Sequence, residues 1–205
     1  GKYPLTLIKA GAGYGKSTLL GSYLKKSSLD YFWFNITGDD NELYNFIYGL
    51  VYAVRIHWDE FGENILNLLE QTEKLQNNWR HIINLFITSL WEKAKETDKE
   101  YYFVLEDFQR VQDQQDVVEV IIYLLENLPP GFHVILTSRT LPNNFPWYQW
   151  KIKGKALVLT EEDLAFSPEE VKRFFALRTG IKLEPKEVEL IMNKTEGWAI
   201  ALEML

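Results

Sequence analysis

One glycine-rich stretch near the amino terminus constrains the fold more than any other part of the sequence. An apolar segment at residues 5–9 has the character of a strand, and residues 17 to about 26 have the pattern of a helix. Between them the chain reads Ala10-Gly11-Ala12-Gly13-Tyr14-Gly15-Lys16-Ser17-Thr18. Small residues let backbone N–H groups approach an anion closely, and the positive end of the helix adds to the same site. Strand, loop and helix in this order predict a phosphate-binding loop of the Walker A type.

This loop assigns roles to its residues. Lys16 is expected to reach the β- and γ-phosphates of a nucleotide, and the Ser17 hydroxyl to ligate Mg²⁺. The strict pattern asks for glycine where this chain has Ala10. A glycine-rich turn without a ligand is the alternative interpretation. The residues predicted to bind the nucleotide are Gly11, Ala12, Gly13, Tyr14, Gly15, Lys16, Ser17 and Thr18.

Length and composition limit the class of protein. A chain of 205 residues can hold one α/β domain and a small appendage. The net charge of −7 argues against direct nucleic-acid binding, because phosphate contacts need clustered Lys and Arg. There is no cysteine, and no apolar run approaches the length of a membrane span. With no signal peptide recognised before the first strand, we expect a cytoplasmic protein without membrane contact.

The rest of the chain alternates strands and helices. Unbroken apolar or aromatic runs at residues 30–36, 101–105, 132–139 and 156–159 predict buried parallel strands. Helical spacing of apolar residues predicts three helices and no strand between residues 41 and 98. Trp79 and Trp91 lie in the third of these helices, where we expect both to pack against the sheet.

Two acidic residues follow the third strand. Glu106 and Asp107 come directly after the run at residues 101–105, which is the Walker B arrangement. The carboxyl edge of an open α/β sheet is where ligands bind. One carboxylate is expected to hold Mg²⁺ or its water shell, and the other to orient or deprotonate the attacking water. The alternative is an acidic turn between strand and loop.

The fourth strand ends in Thr137, Ser138 and Arg139. If this strand lies between the strands of the two motifs, these polar residues reach the region of the γ-phosphate. A guanidinium there would sense or stabilise the phosphate charge. A surface arginine at the end of a strand is the alternative.

The character of the sequence changes near residue 164. A helix begins at residues 167–170 with Ser, Pro and Glu at their preferred positions, and it ends at Gly180. Two more helices follow, from residue 185 and from Trp198. We predict a nucleotide-binding domain at residues 1–163 and a helical domain at residues 164–205. The final run at residues 198–205 is apolar and has no polar cap, so we expect the helical domain to be truncated at its carboxyl end.

Four segments together resemble a known family. They are the loop described first, Leu105-Glu106-Asp107-Phe108, Leu136-Thr137-Ser138-Arg139-Thr140 and Gly197-Trp198-Ala199-Ile200-Ala201-Leu202. In this order they resemble the STAND class of signal-transduction P-loop ATPases. The similarity is greatest to the MalT-like branch of large LuxR-family transcriptional regulators. It covers nearly the whole chain, as nucleotide-binding domain plus first helical domain.

The resemblance implies a parallel sheet ordered 5-1-4-3-2, a resting state with ADP and an active state with ATP. It implies Lys16, the Walker B pair Glu106 and Asp107, and the sensor Arg139 as catalytic residues. Ser17, Glu106 and Asp107 would hold Mg²⁺. Gly197 and Trp198 match the segment that brings the helical domain against the nucleotide. Glu106 replaces the aspartate usual in this branch, which predicts slow hydrolysis, and the segment lacks a proline common at that place.

The sequence therefore predicts an ATP/ADP-binding switch module of a signal-responsive transcriptional regulator, reset by slow ATP hydrolysis. Its partners would be the other domains of the full-length protein, with nucleotide-dependent self-association possible for the class. Two alternatives stay open. A free-standing small-molecule kinase would need a basic acceptor pocket, for which residues 140–165 offer Lys151, Lys153 and Lys155 and no arginine. A degenerate NTPase fold could instead serve as a protein-binding scaffold.

Overall fold

A parallel β-sheet forms the centre of the computed structural model, which describes residues 3–72, 74–95, 97 and 99–205. The strands are β1 (Leu5–Lys9), β2 (Asp30–Asn35), β3 (Tyr101–Glu106), β4 (Phe132–Ser138) and β5 (Ala156–Leu159). The helices are α1 (Lys16–Lys26), α2 (Leu43–Arg55), α3 (Glu63–Gln71), α4 (Leu75–Ala94), α5 (Gln115–Asn127), α6 (Trp147–Ile152), α7 (Glu161–Leu164), α8 (Pro168–Thr179), α9 (Pro185–Thr195) and α10 (Ala199–Glu203). Short 3₁₀ turns occupy Gly38–Asn41 and Phe108–Arg110.

The strands lie in the order β2-β3-β4-β1-β5, and each adjacent pair is parallel. This is the predicted order 5-1-4-3-2 counted from the other edge, so the predicted fold is confirmed. The register pairs Lys9 with Ser138 and Asn35 with Glu106. Since all strands run the same way, the ends of β1, β3 and β4 meet at one edge of the sheet.

The two faces of the sheet carry cores of different size. Successive side chains of a strand point to opposite faces. Phe103 and Leu105 of β3 therefore belong to the larger core, which includes residues of α2, α3, α4 and α5. Tyr102 and Val104 belong to the smaller core, which α1 covers with Leu20. The sheet is thereby held on both faces, as expected for parallel strands.

Three helices connect β2 to β3, as predicted, within the described part of residues 41–98; residues 73, 96 and 98 lie outside it. Trp79 of α4 is buried, which confirms its predicted packing role. The same prediction for Trp91 is wrong, because its side chain is 46% exposed. Leu90 and Ala94 are buried at this end of α4, and Trp91 is rotated by about 100° from Leu90 around the helix axis.

Helix α6 was not predicted, since the sequence between residues 141 and 155 shows turn residues and no helical period. Aromatic packing accounts for it. Trp147 and Trp150 are buried against Phe145, and the Trp147 indole N–H donates to the carbonyl of Pro142 over 2.7 Å. Packing contacts thus stabilise a short helix that the local sequence does not predict.

Helices α7 to α10, here called the arm, follow β5. Helix α8 begins as predicted: the Ser167 hydroxyl accepts from the Glu170 N–H, Pro168 is the first helical residue, and Gly180 ends the helix in a left-handed conformation. The arm has its own small core of Val171, Phe175 and Leu202. The division into domains at residues 163 and 164 stays a prediction, and that position falls within α7.

Among the residues that the structure describes, no helix is both long enough and apolar enough to span a membrane.

Candidate phosphate-binding site

The glycine-rich loop joins β1 to α1 at the carboxyl edge of the sheet. Gly13 and Gly15 have φ angles of 78° and 73°, in the left-handed region that glycine adopts without strain. Ala10 instead extends the β1–β4 ladder, because its N–H donates to the carbonyl of Ser138 over 3.1 Å. A methyl group is accommodated there, fully buried, so alanine fits where the strict pattern has glycine.

Lys16 lies at the first position of α1, and only 9% of its surface is exposed. Its ammonium donates to the carbonyls of Ala10 and Gly11 over 2.7 and 2.8 Å. Burial lowers the pKa of Lys16, an effect opposed by the carboxylate of Asp107 and reinforced by the guanidinium of Arg139. A cation thus lies under the loop, beside N–H groups of the first helical turn that have no intrahelical partner.

Glu106 contacts the loop helix directly. One of its carboxylate oxygens accepts a hydrogen bond from the Ser17 hydroxyl, and the other accepts from the indole N–H of Trp33 over 2.8 Å. The structure therefore brings together two of the three predicted Mg²⁺ ligands. Both supply oxygen, the donor that Mg²⁺ prefers, and Mg²⁺ completes its shell with water and phosphate oxygens.

Asp107 has contacts different from those of Glu106. Its backbone is left-handed, with φ of 61°, and its N–H donates to the hydroxyl of Thr137 over 3.1 Å. Its carboxylate accepts from the Gln109 amide over 2.9 Å and lies 3.5 Å from the guanidinium of Arg110. The two acids of the predicted pair therefore have different environments, and a direct metal-ligand role for Asp107 stays a prediction.

No cluster of three or more acidic or histidine side chains able to hold a metal occurs among the residues the structure describes.

Arg139 follows β4, and β4 lies between β1 and β3, which is the condition set for its predicted role. Its side chain is exposed, and its backbone N–H donates to the Gln109 side chain over 3.1 Å. The guanidinium is close enough to Lys16 to lower the pKa of that ammonium. The structure thus places Arg139 at the edge where Lys16 and Asp107 also lie, while its role as a sensor stays a prediction.

The predicted segment at residues 197 and 198 reaches the loop. The indole N–H of Trp198 donates to the carbonyl of Ala12 over 3.0 Å, and its ring centre is 6.1 Å from that of Tyr14. Next to it, the N–H of Ile200 donates to the carbonyl of Gly13 over 3.1 Å. The arm is therefore bonded to the backbone of the loop itself.

Gly197 makes this approach possible. Its φ is 75°, and a Cβ at this position would lie 2.4 Å from the carbonyl oxygen of Phe166. Its own carbonyl accepts from the Phe166 N–H over 2.9 Å. Only glycine fits this conformation and this contact, so Gly197 sets the direction in which Trp198 leaves α9.

Glu161, at the start of α7, was not identified from the sequence. Its carboxylate accepts from the N–H of Gly11 over 2.9 Å. Burial raises the pKa of the Tyr14 phenol, and the negative charges of Glu161 and Glu196 raise it further. Trp33 and Ile200 were missed in the same way, because each acts through a residue far away in the chain and no local pattern marks it.

A cleft of about 520 Å³ separates the loop and α1 from the arm. Its lining is mainly apolar, with a few hydroxyl and backbone groups. The residues around it include Gly13, Tyr14, Thr18, Leu19, Leu164, Phe166, Phe174 and Ile200.

The family described as "Nephrocystin 3, N-terminal" matches residues 1–139 of the chain. The match covers β1 to β4 and both acidic residues of the third strand. The chain belongs to this family.

Curated relatives extend the similarity over the arm. The HTH-type transcriptional regulator MalT of Yersinia enterocolitica is 27% identical over 204 residues, and that of Serratia proteamaculans is 28% identical over 204 residues. In both cases the match covers 99% of this chain and 22% of the relative. The resemblance to a MalT-like P-loop NTPase domain is confirmed, and the chain spans about a fifth of the length of these relatives.

Similarity to solved structures is low in sequence. The Aeropyrum pernix ORC1 protein in complex with DNA gives a TM-score of 0.49 at 12% identity, covering 99% of this chain and 53% of that one. AMPPCP-bound DnaA from Aquifex aeolicus gives 0.43 at 15% identity, covering 100% and 53%. The fold assignment rests on the strand order and not on these likenesses.

Proposed function

We propose that the chain is the nucleotide-binding module of a larger transcriptional regulator, and that it switches between ADP- and ATP-bound states. Two observations support the proposal: the phosphate-binding geometry and the similarity to MalT over the whole chain, which covers 22% of that regulator. The other domains of the regulator would be the partners of this module, and slow hydrolysis would reset it.

The loop supplies the groups that a polyphosphate needs. Backbone N–H groups from Gly13 to Thr18 and the positive end of α1 would donate to phosphate oxygens. Lys16 would exchange its bonds to the carbonyls of Ala10 and Gly11 for bonds to phosphate. Because these carbonyls hold the ammonium in place and most of the side chain is buried, the cation is preorganised for phosphate.

Mg²⁺ would neutralise phosphate charge when bound, and Ser17 with Glu106 would hold it. Asp107 is the residue we expect to orient the attacking water, and Arg139 to respond to the γ-phosphate. The carboxylate of Asp107 is already bonded to Gln109 and close to Arg110. These contacts must be exchanged before the carboxylate can orient a water, which supports slow turnover.

The contact of Trp198 and Ile200 with loop carbonyls is the observation that carries the switch. It joins the phosphate-binding backbone to the arm without an intervening element. A nucleotide that changes the loop therefore changes the energy of arm docking, which is the requirement for a population shift. The 520 Å³ cleft between them is large enough for the nucleoside part.

The kinase alternative has less support. Lys151, Lys153 and Lys155 precede β5, and the N–H of Leu5 at the start of β1 donates to the carbonyl of Lys155. They therefore lie near the amino ends of β1 and β5, at the edge opposite the phosphate loop. An acceptor bound there could not meet the γ-phosphate.

The decisive experiment is to purify the protein, denature it, identify any released nucleotide, and then measure ATP turnover. We expect tightly held ADP and slow turnover, with both lost in Lys16→Ala. Lys26→Ala, at the exposed end of α1, is the matched control and should behave as wild type. Absence of bound and exchangeable nucleotide would overturn the proposal, and rapid transfer to a metabolite would favour the kinase.

A further inference from the structure

We propose that Trp33 is a positioning residue for the cation site, acting through Glu106. The indole N–H of Trp33 is 2.8 Å from one carboxylate oxygen of Glu106, and the Ser17 hydroxyl donates to the other oxygen. The inference rests on the proposed function, since it concerns the Mg²⁺ that accompanies the nucleotide. It adds a residue from β2 to a site otherwise built by Ser17 of α1 and Glu106 of β3.

The length of the Glu106 side chain explains why a hydrogen bond from Trp33 is useful. Glutamate has one more rotatable bond than aspartate, so more conformational freedom must be lost to fix its carboxylate. The indole nitrogen can only donate, so it fixes one carboxylate oxygen of Glu106 as an acceptor. A hydrogen bond to an ionised acceptor is about twice as strong as one between neutral groups. Trp33 thereby directs the second oxygen of Glu106 towards Ser17.

The sheet fixes Trp33 in this position. Trp33 pairs with Val104 in the β2–β3 register, and Glu106 lies two residues farther along β3 on the same face. The indole ring packs against the smaller core and meets the ring of Tyr31 edge-on, with centres 6.1 Å apart. Strand pairing and packing therefore hold the indole N–H of Trp33 in the position from which it donates to Glu106.

The test separates the N–H from the ring. Trp33→Phe keeps most of the packing and removes the donor. We would titrate Mg²⁺ into the protein with a non-hydrolysable ATP analogue and measure nucleotide binding by calorimetry. The Mg²⁺ concentration for half-maximal effect should rise about tenfold, while nucleotide affinity in EDTA stays unchanged. Trp58→Phe, another half-buried tryptophan, which packs on the other face, is the control and should match wild type.

A second background tests the route through Glu106. In Glu106→Gln, the Trp33→Phe change should have no further effect on the Mg²⁺ requirement, because the ionised acceptor is gone. A purely structural role for Trp33 would give the same loss in both backgrounds and would overturn the inference. Equal Mg²⁺ requirements of Trp33→Phe and Trp58→Phe would do the same, leaving the proposed function intact. Failure of wild type to bind nucleotide would overturn both.

A spectroscopic measurement covers the case in which Trp33→Phe does not fold. The indole N–H of Trp33 gives one of the signals from the 7 tryptophans in a ¹⁵N-labelled wild-type sample. That signal should shift when Mg²⁺ is added to the nucleotide complex and should not shift in Glu106→Gln. A Trp33 signal unaffected by Mg²⁺ in wild type contradicts the inference.

Discussion

The phosphate loop is contacted from two sides that differ in construction. On the sheet side, Ala10 continues the ladder to Ser138 and Glu106 contacts Ser17, and both belong to strands with large buried cores. On the arm side, two hydrogen bonds reach loop carbonyls, and Trp198 is 37% exposed. The arm can therefore leave the loop without opening the sheet, whereas the groups expected to act on phosphate cannot move apart.

The largest effect should come from the sheet side. Phe103→Ala removes a buried aromatic ring of the larger core and should lower the free energy of unfolding by about 3–5 kcal/mol. Phe175→Ala in the arm core should instead loosen α8 and leave the sheet intact. Denaturant unfolding with hydrogen exchange measures both. Equal loss of exchange protection in β3 from the two changes would show that arm and sheet are one cooperative unit.

A larger residue at Gly13 should separate the two sides. A Cβ there would lie 2.6 Å from a side-chain methyl of Ile200, and φ is 78°. Gly13→Ala should therefore release α10. The left-handed backbone should also cost about 1–2 kcal/mol of strain in this variant. Adding Ile200→Ala should restore docking and leave the strain. Hydrogen exchange at residues 199–203 reports docking. As a control, Gly21→Ala meets no atom within 4 Å and should stabilise α1.

A smaller effect is expected from the indole bond. Trp198→Phe removes the donor to the Ala12 carbonyl and should weaken arm docking by about 0.5–1.5 kcal/mol, with the sheet unaffected. Faster exchange in α10 with an unchanged unfolding midpoint would be the expected pattern. If exchange in α10 is the same as in wild type, the indole bond does not contribute to docking of α10.

The smallest effect concerns charge. Glu161→Gln keeps an acceptor for the Gly11 N–H and removes a negative charge close to Lys16. Nucleotide affinity should rise about two- to fivefold, the range of an exposed charge interaction. Glu162→Gln, the exposed neighbour, should leave affinity unchanged. Lower affinity in Glu161→Gln would mean that the carboxylate supports the loop more than it repels phosphate.

The same contrast explains what could be predicted from the sequence. The sheet side is carried by contiguous motifs at the ends of strands, and parallel register brings them together. The arm side depends on contacts between distant residues: Glu161 and Gly11 are 150 positions apart, and Trp198 and Ala12 are 186 apart. The bond between Trp33 and Glu106 on the sheet side also spans 73 positions. Trp198 was anticipated only through resemblance to a family. Helix α6 was missed because aromatic packing, and not local propensity, forms it.

The arm bonds have a consequence for the loop peptides themselves. In a planar trans peptide, the N–H points opposite to the C=O. Since the carbonyls of Ala12 and Gly13 face the arm, the N–H groups of Gly13 and Tyr14 point away from it. A donor on the carbonyl polarises the whole amide and makes its N–H a better donor. If the loop binds an anion as proposed, docking of the arm and capture of the anion would act on opposite ends of the same peptide groups, and each would strengthen the other.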